Sequence, residues 1–156
     1  MPNHRTHLVA GLTSAAALIY VLNQINANLF QAMWHMPLCI GLALTGSIFP
    51  DIDIDSKMQR LFWPVIAIVL FAALLKSKFY LFFILVACTF LVMLIKHRTI
   101  THRYWFIIGL PLALAWYLAT MKVQSPFVYI CALFFIVGAC SHIFLDRTMS
   151  RLKRYK

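Results

Sequence analysis

Glutamate is missing from this chain, and aspartate occurs only four times in 156 residues. Charged side chains make up 12% of the sequence against 63% hydrophobic, and the mean hydropathy is +0.84. That leaves too little polar surface to clothe a soluble domain. Cysteine is sparse and unpatterned: Cys39, Cys88, Cys131 and Cys140 lie in apolar runs without metal-type spacing, so no disulfide framework is expected. Internal repeats and low-complexity segments are lacking, as is a convincing processing site around the first apolar run. One uncleaved domain over residues 1–156 is therefore expected.

What the chain has in quantity is apolar sequence near membrane-spanning length. Runs at 8–25, 36–49, 61–75, 79–95, 104–121 and 127–145 are separated by polar or charged turns. This predicts an all-α polytopic membrane protein of about six transmembrane helices. In the second run Gly41 and Gly46 favour close helix packing, and Pro50 should stop the helix. A bend is expected near Gly109 and Pro111 in the fifth. Six spans place both termini and the loops after runs two and four on one side. That side carries Arg5, Lys57, Arg60, Lys96, Arg98, Arg103 and the five bases of the 147–156 tail, eleven of the 14 Lys and Arg; the other carries Lys76, Lys78 and Lys122. The asymmetry predicts cytoplasmic termini. The net charge of +10 would suggest nucleic acid in a soluble protein. Here it implies topology and anionic headgroups, with the tail as a membrane-surface anchor and no nucleic-acid partner.

The same folding-back gathers the titratable groups. Asp51, Asp53 and Asp55 fall within seven positions (49–55), and Asp146 stands four residues after His142. With His4, His7, His97 and His102 they all belong to the cytoplasmic layer, and only His35 falls on the other side. An unpartnered anion beside lipid costs on the order of 2–4 kcal/mol, so such groups are expected to have partners. An i,i+4 His/Asp pair shares one helix face and can share one ion. Alternating aspartates in an extended loop point to one side, and His97 and His102, five apart, need a loop that curls both inward. Histidine with carboxylate and without cysteine suits one or two divalent ions, zinc first, with manganese, iron or nickel as alternatives. Runs two and three are short, about 22 Å for fifteen residues against about 30 Å of hydrocarbon. The acidic loop is thus expected below headgroup level, within reach of a lipid substrate. Metal-activated water would attack, Asp51 or Asp55 would take the proton, and Arg98 and Arg103 would pair a phosphate.

Pro50-Asp51-Ile52-Asp53, His97-Arg98-Thr99-Ile100-Thr101-His102 and Ser141-His142-Ile143-Phe144-Leu145-Asp146, with Thr6-His7 opening the first run, resemble the LexA-regulated, YdjM-like family. That family comprises bacterial inner-membrane proteins predicted to be metal-dependent hydrolases. The resemblance implies metal-ligand roles for His7, Asp51, Asp53, His97, His102, His142 and Asp146. The chain departs from the family pattern at Thr99, where glycine is usual, and at Arg103, where a small hydroxyl residue is usual. Both differences bear on loop shape and substrate contacts. The set of histidines and acids closed by an i,i+4 pair is also similar to zinc-dependent phospholipase C, a likeness of pattern.

The expectation is a membrane-embedded metal-dependent hydrolase acting on a lipid-linked phosphoester at the cytoplasmic face. Plainer readings compete with it: His142 and Asp146 as a helix-packing pair, Asp55 as an N-cap, His4 and His35 as surface and interfacial side chains, Arg98 and Arg103 as topology charges. Rival functions are amide or carboxylic-ester hydrolysis at the same site, a scaffold using the basic tail, and a transport or regulatory protein in which the metal is cargo or structural. A transporter should carry ionisable groups through the mid-depth of several spans, whereas here they keep to one layer. Elemental analysis of purified protein is expected to find stoichiometric divalent metal in the wild type and none in His142→Ala or Asp53→Ala. Unchanged metal in both variants removes the site.

Overall fold

The computed structural model describes residues 4–26, 28–30, 33–51, 101–121 and 125–154, together with 63, 64, 66–68, 70, 71, 74, 75, 83 and 86. Among the described residues every regular element is helical. The chain divides into two compact units, Met1–Pro50 with His102–Lys156, and Asp51–Thr101. Four α-helices build the first: α1 (His4–Ile25), α2 (His35–Ile48), α3 (Tyr104–Thr120) and α4 (Ser125–Arg154), and a 3-10 turn (Phe49–Asp51) leads from α2 into the second.

Helix is the open-ended structure that satisfies its own backbone in an apolar medium, and the ends are where the sequence must intervene. After α1, Asn26 folds the chain back: its Oδ1 accepts the Asn28 N–H at 3.0 Å and its carbonyl accepts the Leu29 N–H at 3.2 Å, as Asn side chains do in turns. Pro37 lies in the first turn of α2, where a missing N–H is tolerated. At the other end of α2 the Phe49 N–H reaches back to the Gly46 and Thr45 carbonyls. Pro50, expected to stop the helix, sits inside the tighter 3-10 turn that follows. No break marks the expected bend in α3, which runs through Pro111. Its 30 residues make α4 about 45 Å long, and the basic segment taken as a separate tail continues it as helix to Arg154.

Within the first unit α2 packs on α1 and α4, α1 also packs on α4, and α3 packs on α4. Ala15 of α1, Cys39 and Ala43 of α2 and Phe134 of α4 form one core, bordered by Leu22 and Phe127. Ile107 of α3 with Ala139 and Ile143 of α4 forms another. Between α2 and α4 the backbones touch: a Cβ at Gly46 would strike the Phe135 carbonyl oxygen, and one at Gly138 would strike the Ala43 carbonyl oxygen. Gly41, also expected to serve packing, faces open space. His35 stacks on Phe127 at one end and Ser47 meets His142 at the other, so α2 and α4 run parallel. His7 against His142 and Tyr104 against Arg147 set α1 and α3 antiparallel to them.

Outward-facing Val9, Tyr20, Ile25, Trp105, Trp116 and Phe144 are each 60% exposed or more, a surface a bilayer solvates and water does not. Two helices among the described residues, Arg5–Ile25 and Pro126–Ser150, are long and apolar enough to cross a membrane, and α3 is a shorter apolar helix. Most of the expected third and fourth spans lies outside the described residues; those described between 63 and 86 are helical. Gly46→Ala and Gly138→Ala are each expected to destabilise the protein by about 1–3 kcal/mol through overpacking. Gly41→Ala should instead stabilise it by up to about 1 kcal/mol through helix propensity. Equilibrium unfolding in detergent checks the order.

Candidate functional site

Asp146 is the one carboxylate residue in the sequence of the first unit, and three imidazoles surround it. Its Oδ2 lies 3.5 Å from Nε2 of His142, one turn earlier on α4, and its Oδ1 lies 3.6 Å from Nε2 of His7 on α1. The His7 and His142 rings stack, with centroids 3.9 Å apart and planes 19° off parallel. His102, in the turn before α3, stands 5.7 Å from the His142 ring, centroid to centroid. One donor atom each from His102, His142 and Asp146 falls within 4.8 Å of the others. His142 and His7 are almost sealed, at 1% and 4% exposure. The Asp146 side chain keeps 23%, which gives the cluster its open side.

Helix packing fixes how His142 points. Its Nδ1 lies 2.7 Å from the Ser47 carbonyl oxygen at the end of α2. A carbonyl only accepts, so Nδ1 carries the proton and donates it, and in the neutral ring Nε2 keeps its lone pair on the Asp146 side. The Ser47 hydroxyl is engaged within α2, donating to the Leu44 carbonyl at 2.8 Å. A 3-10 bond from residue 50 to the Ser47 carbonyl is impossible, because Pro50 has no N–H. The proline thus has a positional role besides ending the helix. Contact of α2 with α4 at Gly46 and Gly138 brings the carbonyl into reach.

The donors are of the kinds that divalent ions take. Separations of 3.5 and 3.6 Å exceed a hydrogen bond. They lie near the about 3.3 Å between two ligands of a tetrahedral ion with bonds of about 2.0–2.1 Å. A histidine whose other ring nitrogen donates to a backbone carbonyl is the usual form of a metal-binding imidazole. His7, His102, His142 and Asp146 could therefore hold a divalent ion.

Asp51 closes the 3-10 turn and opens the second unit, so the acidic segment starts as a helical turn and not as extended chain. Asp53, Asp55, His97 and Arg98 lie outside the described residues. Arg103, at the N-cap of α3, is exposed, and its carbonyl accepts the Phe106 and Ile107 N–H groups at 3.0 and 3.2 Å. His4 begins α1, and His35 stands at the far end of the unit between Trp34 and Phe127. Sequence reasoning missed the Ser47 carbonyl, since a backbone acceptor leaves no signature in residue type. It also missed the Arg147 guanidinium, 4.6 Å over the Tyr104 ring.

These features define an all-helical membrane protein whose helix ends pool imidazoles around one carboxylate. The chain belongs to the YdjM inner membrane protein family, whose family model matches residues 1–151. No curated protein and no solved structure matches it. In protein labelled with 15N-histidine, and with His142→Gln for assignment, neutral His142 is expected to carry its proton on Nδ1. A proton on Nε2 would remove the Ser47 bond.

Proposed function

We propose that the protein is a six-span membrane hydrolase in which His7, His102, His142 and Asp146 hold a divalent ion, zinc first, against a lipid-linked phosphoester at the cytoplasmic face. The observation that carries this reading is one carboxylate reaching two imidazoles at 3.5 and 3.6 Å, one of them oriented by the Ser47 carbonyl. When bound, such an ion lowers the pKa of its water toward about 7 and polarises the scissile oxygen. His142 presents Nε2 because Nδ1 is committed to Ser47, and Asp146 offers one oxygen to each of two rings. Sequence alone nominates Asp51, Asp53 and His97 as further donors, Asp51 or Asp55 as base, and Arg98 as a phosphate partner; Arg103, exposed beside His102, is the second such partner.

Topology and depth support the same reading. Pro50 follows the Ser47 end of α2 and His102 belongs to the cluster, so both lie at one end of the first unit. Six spans require an even number of crossings between them, and the sequence there carries two apolar runs. Six spans would put eleven of the 14 bases on that side, which favours a cytoplasmic site. At 14 residues α2 rises only about 21 Å, short of a hydrocarbon core of about 30 Å, which sinks the cluster below the headgroups.

A closed structural metal site is the second reading, favoured by the burial of His7 and His142; the 23% exposure of Asp146 favours catalysis. Purified protein supplied with zinc or manganese is expected to hydrolyse phosphoesters of short-chain lipids in preference to their carboxylic esters. Loss of groups that merely orient metal ligands lowers activity about 10–100-fold, so Asp146→Asn and His102→Ala should lower it at least about a hundredfold. Metal retained without turnover on any ester would favour the structural site.

A further inference from the structure

We propose that the end of α4 beyond the cluster is a docking site for the headgroup of an anionic phospholipid, with Arg147 as its anchor. This rests on the chain being a membrane protein and not on its hydrolysing anything.

Depth is the first support. Trp34, His35 and Phe127 form an aromatic knot where α2 and α4 begin, with Trp34 edge-on to Phe127 at 5.6 Å. Trp and its neighbours of this kind mark a membrane boundary. Arg147 lies twenty residues along α4 from Phe127, about 30 Å, which is the thickness of the hydrocarbon core. Arg147 therefore falls at the opposite boundary. Trp105, 62% exposed on the first turn of α3 beside Tyr104, marks the same level.

Pre-organisation is the second. Tyr104 is packed against the core of Ile107, Ala139 and Ile143, and its ring holds the Arg147 guanidinium at 4.6 Å. Arg147 is exposed, and no carboxylate among the described residues pairs with it. Asp146 is turned about 100° around the helix, toward His7 and His142. The helical register then puts positions 147, 151 and 154 within about 60° of one stripe, over about 10 Å of rise. All three are arginine, and no acid follows Asp146. One turn before Arg147 stands Phe144, 66% exposed, at acyl-chain depth. The planar guanidinium fork of Arg147 matches phosphodiester oxygens.

The test uses full-length protein in micelles, metal-free in the presence of chelator, so that the metal reading does not enter. Native mass spectrometry after mixing with phosphatidylglycerol or phosphatidylcholine reads the retained lipid. Wild type is expected to retain phosphatidylglycerol over phosphatidylcholine. Arg147→Gln should lower that retention about fivefold, and Arg147→Gln/Arg151→Gln/Arg154→Gln on the order of a hundredfold, with phosphatidylcholine unchanged. Tyr104→Phe should retain it and Tyr104→Leu should lose part. Should the glutamine variants not fold, Arg147→Lys keeps the charge, loses the fork and should still lower retention. Equal retention of both lipids by wild type overturns the proposal. So does unchanged retention in the triple variant (or in Arg147→Lys where that stands in), or displacement of the lipid by equimolar glycerol phosphate or by an oligonucleotide.

Discussion

Backbone contact between α2 and α4 is the constraint on which the site end of this protein depends. Gly46 and Gly138 lie against carbonyls of the opposite helix, and helices that close leave no room for side chains between them. In the apolar medium of a bilayer, association relies on such fit and on interhelical hydrogen bonds, because lipid tails supply no hydrophobic drive. The Ser47–His142 bond is one of these, at 2.7 Å. It joins the two helices where a carbonyl at a helix end would otherwise need a partner. One contact thus serves packing, backbone satisfaction and imidazole orientation together.

Scarcity of negative charge shapes the rest. A carboxylate in apolar surroundings is tolerated when its charge is compensated, and the first unit has one, half-buried and facing two imidazoles. The adjacent cation takes another partner: Arg147 lies over the Tyr104 ring. Were the arginine to pair with Asp146, the donor set would be neutralised by an ordinary salt bridge. The separation of the two along α4, adjacent in sequence and about 100° apart in space, keeps the carboxylate on the histidine side.

Much of this was legible before any coordinates. Recurring apolar runs near membrane-spanning length gave the all-helical class, and the i,i+4 spacing of His142 and Asp146 placed both on one face, 3.5 Å apart between facing atoms. His7 and His102, read as convergent because short loops return the chain to the same layer, stand beside them. Boundaries were less legible. Arginine and lysine after residue 146 looked like a tail, yet they are good helix formers, and α4 continues through them. Pro50 was legible as a stop, and α2 ends just before it at Ile48; the 3-10 turn that accepts a residue without an N–H there was not. Of the two glycines nominated for packing in α2, only Gly46 is used, since one helical turn and a fraction rotates Gly41 away from α4. Backbone acceptors such as Ser47 are invisible to any reading of side chains.

The length of α4 has a consequence of its own. Because one unbroken rod of about 45 Å carries Phe127 of the aromatic knot, both of its cluster residues and the arginine positions 147, 151 and 154, its tilt is a single mechanical variable. A thinner bilayer tips such a rod to relieve hydrophobic mismatch. Tipping leaves the His142–Asp146 spacing untouched, since both ride on the same lever, and alters only their distances to His7 on α1 and His102 before α3. Bilayer thickness would accordingly tune the geometry between helices, not within them.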